Sequence, residues 1–406
     1  MFSTKLSARS DEMRKPKRVA ILMNLGRVYD RGVIRGIMRY VLSGHPWHLY
    51  VEEDPANKIP SFTAWSGDGL IVDLDDERIS KAIPQFTGKL VGIGCLAPDI
   101  LQKLDISTIK TDDQMIAEWA ADHLVERGLE HFAYCGMRLF GLDQWNKVRC
   151  DSFRRRIIKH GYQCSVFTGR RHLLQYWGLM LEELMDWLVR LPKPMGLMTC
   201  NDSQGRYVLE ACRQLDIRVP EDVAIIGVDN DELMCELAVP PLSSIAQSTE
   251  QIGFRAAELL DALMTNHQRR SVHITIPPAC LVTRQSSDIV AVDDEVVSRA
   301  IKFIREHATE LVGVAEVAHH VGVSRSTLEK HFKGLVGRTV HDEFQNRRLD
   351  IARRLLTCSN LPLQVIAERS GFRSAHYMSA VFRRELGYPP GKLRQQQTFG
   401  SECGMR

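Results

Sequence analysis

Two stretches near the C-terminus repeat one plan about fifty residues apart, and this repeat restricts what that end of the chain can become. In VAEVAHHVGVSRSTLEKHFK, Val317, Ala318 and Val321 fall at helical spacing, Gly322 closes the helix in a tight turn, and Ser324 caps a second helix. In LQVIAERSGFRSAHYMSAVFRREL, Ile366 and Ala367 form the buried seam, Gly371 turns, and Ser374 caps a helix carrying His376, Tyr377, Ser379 and Arg383. Each stretch reads as a helix-turn-helix unit whose second helix mixes small, hydroxyl and basic side chains on its outer face. Those residue types can hydrogen-bond base edges and phosphates in a major groove. Helix-turn-helix shapes also serve as plain packing units, so the charge decides. Val321 to Arg394 holds fourteen Lys and Arg against six Asp and Glu, a net of +8, whereas the whole chain carries +3. A basic module on a mildly acidic body is the pattern of a polyanion binder.

A length of 406 residues leaves room for two or three domains. From Arg18 the chain alternates short apolar runs (RVAILMNLG, HLYVEED, GDGLIVDL, KLVGIGC, ISTIKTD) with amphipathic stretches such as YDRGVIRGIMRYVLSG and MIAEWAADHLVERG. The pattern then restarts: HFAYCG, a helix to His160, YQCSVF, LEELMDWLVRL, GLMTC, DSQGRYVLEACRQL, VAIIGVD. Apolar strands too short to be helices, each followed by a helix, predict parallel α/β structure. Two such halves predict two similar lobes. The helix TEQIGFRAAELLDALM and the strand SVHITI are expected to return to the first lobe as cover.

The boundaries follow. Residues 1–17 read as a mobile polar tail, 18–284 as a two-lobed core, 285–291 as a linker, 292–397 as the helical DNA-binding domain, and 398–406 as a tail. The ten cysteines are scattered, with no C-x-x-C pair or metal spacing, and Cys95, Cys135 and Cys200 end apolar runs as reduced core thiols do. No apolar leader opens the chain and no eighteen-residue apolar run follows, so the expected compartment is the cytoplasm, with no membrane partner.

Open parallel sheets bind ligands at the C-terminal ends of their strands, and two facing lobes make that edge a cleft. The residues standing there are Tyr29-Asp30-Arg31, Asn201-Asp202 and Asp229-Asn230-Asp231, with Arg149 starting a helix near Trp145. Carboxylates, amides and an arginine beside an aromatic suit the vicinal hydroxyls of a neutral sugar. The bland reading is that these Asp and Asn residues only cap helices.

The residues AEVAHHVGVSRSTLEKHFK, RRLDIARRLL, IAERSGF and YMSAVFRRELGYPPGKLR resemble the DNA-binding domain of the AraC/XylS family over the last hundred residues or so. This implies seven helices, with one beginning near His341 joining the two units, and recognition helices about one turn of DNA apart. It also implies base-reading positions at Arg325, Ser326 and Lys330, and at Arg373, His376, Tyr377 and Ser379. Arg383 and Arg384 are left to phosphates or structure, and Pro389 and Pro390 are expected to end the last helix of the second unit. YDRGVIRGIMRYV, GDGLIVDLDD, KTDD and VPEDVAIIGVDNDEL resemble the core of the LacI family and of periplasmic sugar-binding proteins. That resemblance implies sugar contacts at Asp30 or Arg31, Arg149, Asn201 or Asp202, and Asp229. LacI-type repressors carry their DNA-binding unit ahead of the core; here it follows. This order resembles sugar-responsive activators of pentose catabolic genes. It implies D-xylose as a small-molecule effector with no cofactor, an operator duplex, a homodimer and RNA polymerase as partners, and an activator rather than an enzyme.

Competing readings are a regulator of another sugar, a sugar-modifying α/β enzyme with a helical partner domain, and a sugar carrier without DNA contact. Gly92-Ile93-Gly94-Cys95-Leu96-Ala97 fits a dinucleotide pattern, but Pro98 stands where a phosphate-binding helix should begin. His319-His320 has no partner at metal-binding spacing, and Glu52-Glu53-Asp54 has no base or nucleophile beside it.

Overall fold

A computed structural model describes residues 16–52, 65–86, 88–96, 105–137, 144–169, 177–265, 271–289, 294–310, 312–358 and 361–392. Residues 1–15 and 398–406 of the expected tails, Glu53-Asp54, Ala97-Pro98 and linker residues 290–291 lie outside these; Lys17, expected in the tail, is instead the first residue of a strand and pairs with Asp261 at 2.8 Å. The chain divides into two compact units, Met1–Ile289 and Val290–Arg406.

The first unit holds two six-stranded sheets. Its strands are β1 (Lys17–Leu22), β2 (Trp47–Glu52), β3 (Gly69–Asp73), β4 (Lys89–Ile93), β5 (Ser107–Thr111), β6 (His131–Cys135), β7 (Cys164–Phe167), β8 (Met195–Thr199), β9 (Val223–Asp229), β10 (Ser243–Ala246), β11 (His273–Ile276) and β12 (Cys280–Val282). The first sheet runs β11-β5-β4-β3-β1-β2 and is parallel throughout; the second runs β12-β10-β9-β8-β6-β7, with β12 alone antiparallel. Central strands such as β3, β8 and β9 are buried on both faces, which is why they read as continuous apolar runs. Edge strand β7 is half-exposed and mixed in composition.

The helices of this unit are α1 (Val28–Leu42), α2 (Glu77–Ala82), α3 (Asp113–Val125), α4 (Gln144–Lys159), α5 (Trp177–Arg190), α6 (Asp202–Gln214), α7 (Glu232–Leu237) and α8 (Thr249–Met264). As the sequence predicts, α8 and β11 return to the first lobe. There α8 and α1 bury Ile252, Ala256, Val33 and Ile37 against Val19 and Ile21 of β1. The two helices touch backbone to backbone: a Cβ on Gly36 would lie 2.0 Å from the Glu250 carbonyl oxygen, and one on Gly253 1.9 Å from that of Val33.

The lobes are joined by three crossings, β5 to α3, β10 to α8, and β11 to β12. Backbone bonds stitch them together, Asp112 N to Ile276 O and Ala279 N to Ala246 O, each 2.8 Å. The sequence reading did not anticipate β10, α7 or β12, which are short and lack a clear period.

The core also runs further than expected. Gln285–Ser287 is a 3-10 turn, not linker, and Ser286 and Ser287 are fully buried. Ser286 Oγ donates to Ile225 O at 2.7 Å. Polarity here marks hydroxyls satisfied by buried partners, a carbonyl for Ser286 and the His123 imidazole for Ser287, rather than exposure.

The second unit contains α9 (Glu295–Glu306), α10 (Val314–Val321), α11 (Arg325–Val336), α12 (Val340–Cys358), α13 (Leu363–Arg369) and α14 (Ala375–Leu386). Two clusters fill it. Val317, Val321, Leu328 and Phe332 pack with Ile301 and Ile304 of α9, while Ile366, Ala367, Met378 and Phe382 pack with Leu349 and Leu356 of α12. The prolines do not end α14. Gly387 does, in the left-handed conformation, and Pro390 opens a further helical turn through Lys392. Proline fits a first turn because its missing N–H would have no partner there. Among the described residues no helix is long and apolar enough to cross a membrane.

Candidate ligand cleft and nucleic-acid interface

Between the lobes of the first unit, the C-terminal ends of β1, β3, β5, β8 and β9 surround a cavity of about 380 Å³. Its walls include Tyr29, Asp30, Trp145, Arg149, Asn201, Asp202, Asp229 and Asp231, eight of the nine residues expected there. The exception is Arg31, which is exposed and donates Nη1 to Leu25 O at 2.8 Å. On α1 a residue one position past Asp30 turns about 100° away from it. The cation on that wall is Arg27, paired with Asp73 at 2.9 Å.

Arg149 lies in the second turn of α4 rather than at its start. It is buried, donates Nε to Asp113 at 2.8 Å and Nη1 to Cys200 O at 2.7 Å, and lies 4.7 Å over the Trp145 ring one turn earlier. Asp229 sits at φ 109° and accepts from Gln247 Nε2 at 2.6 Å. Burial is the largest cause that raises its carboxyl, to about 6, against the opposing pull of Arg149. Asp30, which accepts from the Asn24 amide at 3.0 Å, is raised to about 8 by burial and then by neighbouring Asp73.

The capping reading holds for part of the set. Asn201 Oδ1 caps α6 through Gln204 N, and Asp231 caps α7. The Asp202 carboxylate is spent inside the protein, accepting from Ser244 Oγ at 2.6 Å and Asp231 N at 2.8 Å. It braces the loops after β8 and β9 more than it faces a ligand.

Sequence reasoning missed Arg27, Asp73, Asp75, Cys95, Lys110, Thr111, Asp113 and Gln247, all of which line the cavity. The loop after β3, DLDD, carried a usable signal, because it follows a buried strand at the same sheet edge. Gly94-Cys95, set aside as a nucleotide motif, also lines the cavity, and Cys95 N donates to Asp75 Oδ1 at 2.9 Å. Burial pushes the Cys95 thiol up to about 11, away from a thiolate nucleophile. Among the described residues no three His, Cys, Asp or Glu side chains are grouped to hold a metal. Seven aspartates and three cations line the cavity, and burial holds protons on Asp30 and Asp202 near neutrality, so the surface offers both donors and acceptors. Gln247 Oε1 and Asn230 Oδ1 are buried without a protein partner, leaving acceptors open beside the cavity.

In the second unit, Gly322 and Gly371, both at φ 79°, turn α10 into α11 and α13 into α14. Ser324 and Ser374 cap the second helices, each accepting the amide three residues on at 3.1 Å. Arg325, Ser326 and Lys330 are exposed opposite buried Leu328 and Phe332; Arg373, His376 and Arg383 are exposed opposite Met378 and Phe382. Two expected base readers also hold partners within their own unit, although Tyr377 stays exposed. Ser379 Oγ donates to Ala375 O at 2.8 Å, and the Tyr377 hydroxyl accepts from Gln345 of α12. The net charge also overstates what faces outward. Arg338 and Arg347 pair with buried Glu343, and Arg348 donates to the Ala308 and Glu310 carbonyls. His320 packs on Phe303, ring centroids 4.5 Å apart, as a packing residue does.

Three domain families match in order: an XylR N-terminal domain over residues 18–114, a periplasmic binding protein-like domain over 121–287, and a helix-turn-helix domain over 317–396. The xylose operon regulatory protein of Escherichia coli (strain K12) is 33% identical over 381 residues, 94% of this chain and 97% of that protein. The chain belongs to the xylose operon regulatory protein family. The family member from Haemophilus influenzae is 30% identical over 378 residues, 93% of this chain and 98% of its own. A solved structure of a xylose-binding transcription activator, xylR, superposes with a TM-score of 0.74 at 33% identity, covering 94% of this chain and 98% of that one. Membership makes the chain a transcription regulator of helix-turn-helix type and not an enzyme. The cellobiose complex of the regulator CelR, 19% identical with a TM-score of 0.54 over 66% of this chain and 84% of its own, shares the fold of the core.

Proposed function

We propose that the cleft takes D-xylose and that its occupancy switches the second unit into engaging an operator, activating pentose catabolic genes. The single observation that carries this reading is the cavity itself. It is small for a ligand site, where about 300–1,000 Å³ is usual, rich in carboxyls and amides, and edged by Arg149 and Trp145. Family membership supplies the sugar's identity. Vicinal hydroxyls both donate and accept, so they suit Asp30 from the first lobe and Arg149, Asn201 and Asp229 from the second.

The switch needs sugar to bind the closed lobes more tightly than the open ones, since only differential affinity moves the equilibrium. Arg325, Ser326 and Lys330 of the first helix pair, and Arg373 and His376 of the second, would contact the groove, with Lys333 and Arg383 on phosphates. A homodimer presenting four recognition helices, acting in the cytoplasm beside RNA polymerase, completes the proposal.

Titration calorimetry with D-xylose and its epimers tests the effector. Saturable heat with D-xylose alone is expected, and a preference for another epimer would reassign the sugar. Gel-shift titration over a salt series tests the DNA face, where affinity should fall steeply as salt rises.

A further inference from the structure

Helix α3 begins at the ligand cavity and ends at the point where the chain leaves the core. At its start, Asp113 is a cavity wall and accepts from Arg149, while Asp112 is bonded into the crossing segments. The helix has thirteen residues, about 20 Å at 1.5 Å per residue. Near its far end, His123 shares a 2.8 Å hydrogen bond with Ser287 Oγ. Arg127 donates Nε to Ser287 O at 2.6 Å and Nη1 to His123 O at 2.9 Å. Burial pushes the imidazole down to about 3, so this grip carries no titration near neutrality. Ser287 is fully buried and stands two residues before Ile289, where the core unit ends.

The helix is also braced along its length. Asp122 accepts from Arg156 at 2.7 and 2.8 Å and shares a bond with His160 at 2.9 Å, and Arg156 lies two turns beyond Arg149 on α4. The α3–α4 pair is therefore pinned at both ends. On its other side the same exit segment is tied to the sheet by Ser286, and to α7 by Arg284 on Glu236 at 2.8 Å.

We infer that α3 is the output arm of the cleft: a ligand-dependent shift of Asp113 is delivered through His123 and Arg127 to Ser287, and so to the connection with the DNA-binding unit. His123 and Arg127 are positioning residues, since neither lines the cavity. The inference rests on reading the cleft as the sugar site.

The test uses the full chain, D-xylose, and a duplex selected by the full chain from a random library. Calorimetry gives sugar affinity, and fluorescence anisotropy gives the ratio of DNA affinities with and without sugar. In His123→Leu and Arg127→Met, sugar affinity should stay within about twofold while the ratio falls at least about fivefold, the coupling being a free energy shared by both sites. His123→Gln, which keeps a polar nitrogen in reach of Ser287, should restore it. Should either variant fail to fold, Ser287→Ala replaces it, losing one hydroxyl and keeping its carbonyl. An undiminished ratio with intact sugar binding overturns the output arm alone. A variant that loses sugar binding overturns the assignment of its residue to output. A wild-type chain that takes up no D-xylose overturns the reading of the cleft beneath both.

Discussion

Asp229 combines the two costs that mark a ligand-binding residue, a carboxyl in a buried wall and a backbone at φ 109°. A non-glycine residue held there stores about 1–3 kcal/mol. Asp229→Gly and Asp229→Ala are both expected to abolish D-xylose binding in calorimetry. The glycine variant should nonetheless unfold at the higher denaturant midpoint, because it alone relaxes the strain. Equal midpoints would show that the backbone is not strained. In the second unit, Arg373 stands exposed just ahead of the Ser374 cap, where a guanidinium can reach a guanine edge. Arg373→Ala should lose about 1–3 kcal/mol on the matched operator and little on an operator altered at one base step. Uniform weakening on every duplex would place Arg373 on phosphate. The sequence named residue types well but not side-chain direction, as Arg31 and Arg27 illustrate: both are arginines beside β1, yet Arg31 bonds back to Leu25 O while Arg27, in extended backbone at the N-cap of α1, reaches Asp73 in the cavity.

Among the elements, α1 and α8 depend most on a single contact. Their backbones meet at Gly36 and Gly253, with no space for a side chain. Gly36→Ala is expected to force the helices apart and lower the thermal midpoint, an overpacking cost of about 1–3 kcal/mol. An unchanged midpoint in scanning fluorimetry would mean the pair can slide. The long, periodic or fully apolar elements were legible in the sequence because burial imposes their pattern over many residues. The strand β10, the helix α7 and the 3-10 turn at Gln285–Ser287 were not, since each is short and its hydrogen bonds go to distant partners. Ser243, for example, exchanges bonds with Arg284 and Ser286, 41 and 43 residues on.

At the scale of the molecule, the cavity's carboxyls couple stability to pH. Asp30 and Asp202 are raised to about 8, by burial first and by neighbouring aspartates second. Unfolded aspartates titrate near 3.9, so between about pH 4 and 8 the folded chain holds protons that the unfolded chain releases. Stability of the sugar-free protein should then fall as pH rises through that window. Thermal midpoints measured from pH 5 to 8.5 should decline, and Asp30→Asn should flatten the decline. A midpoint that climbs toward pH 8 would contradict the burial of these groups.

The sequence by itself determined the order of the parts, the parallel two-lobed core and the paired helix-turn-helix units, because periodicity and capping are local and repeat along the chain. Only the tertiary structure decided which polar residues face the cavity and which are spent on their neighbours. It drew Asp73 and Asp113 to the same cavity as Asp229, and it tied Asp202, Tyr377 and Ser379 to partners within the protein. It also set the core's end at Ile289. The physical reason is that a buried polar group is placed by the partner that satisfies it, and that partner usually lies far away in sequence.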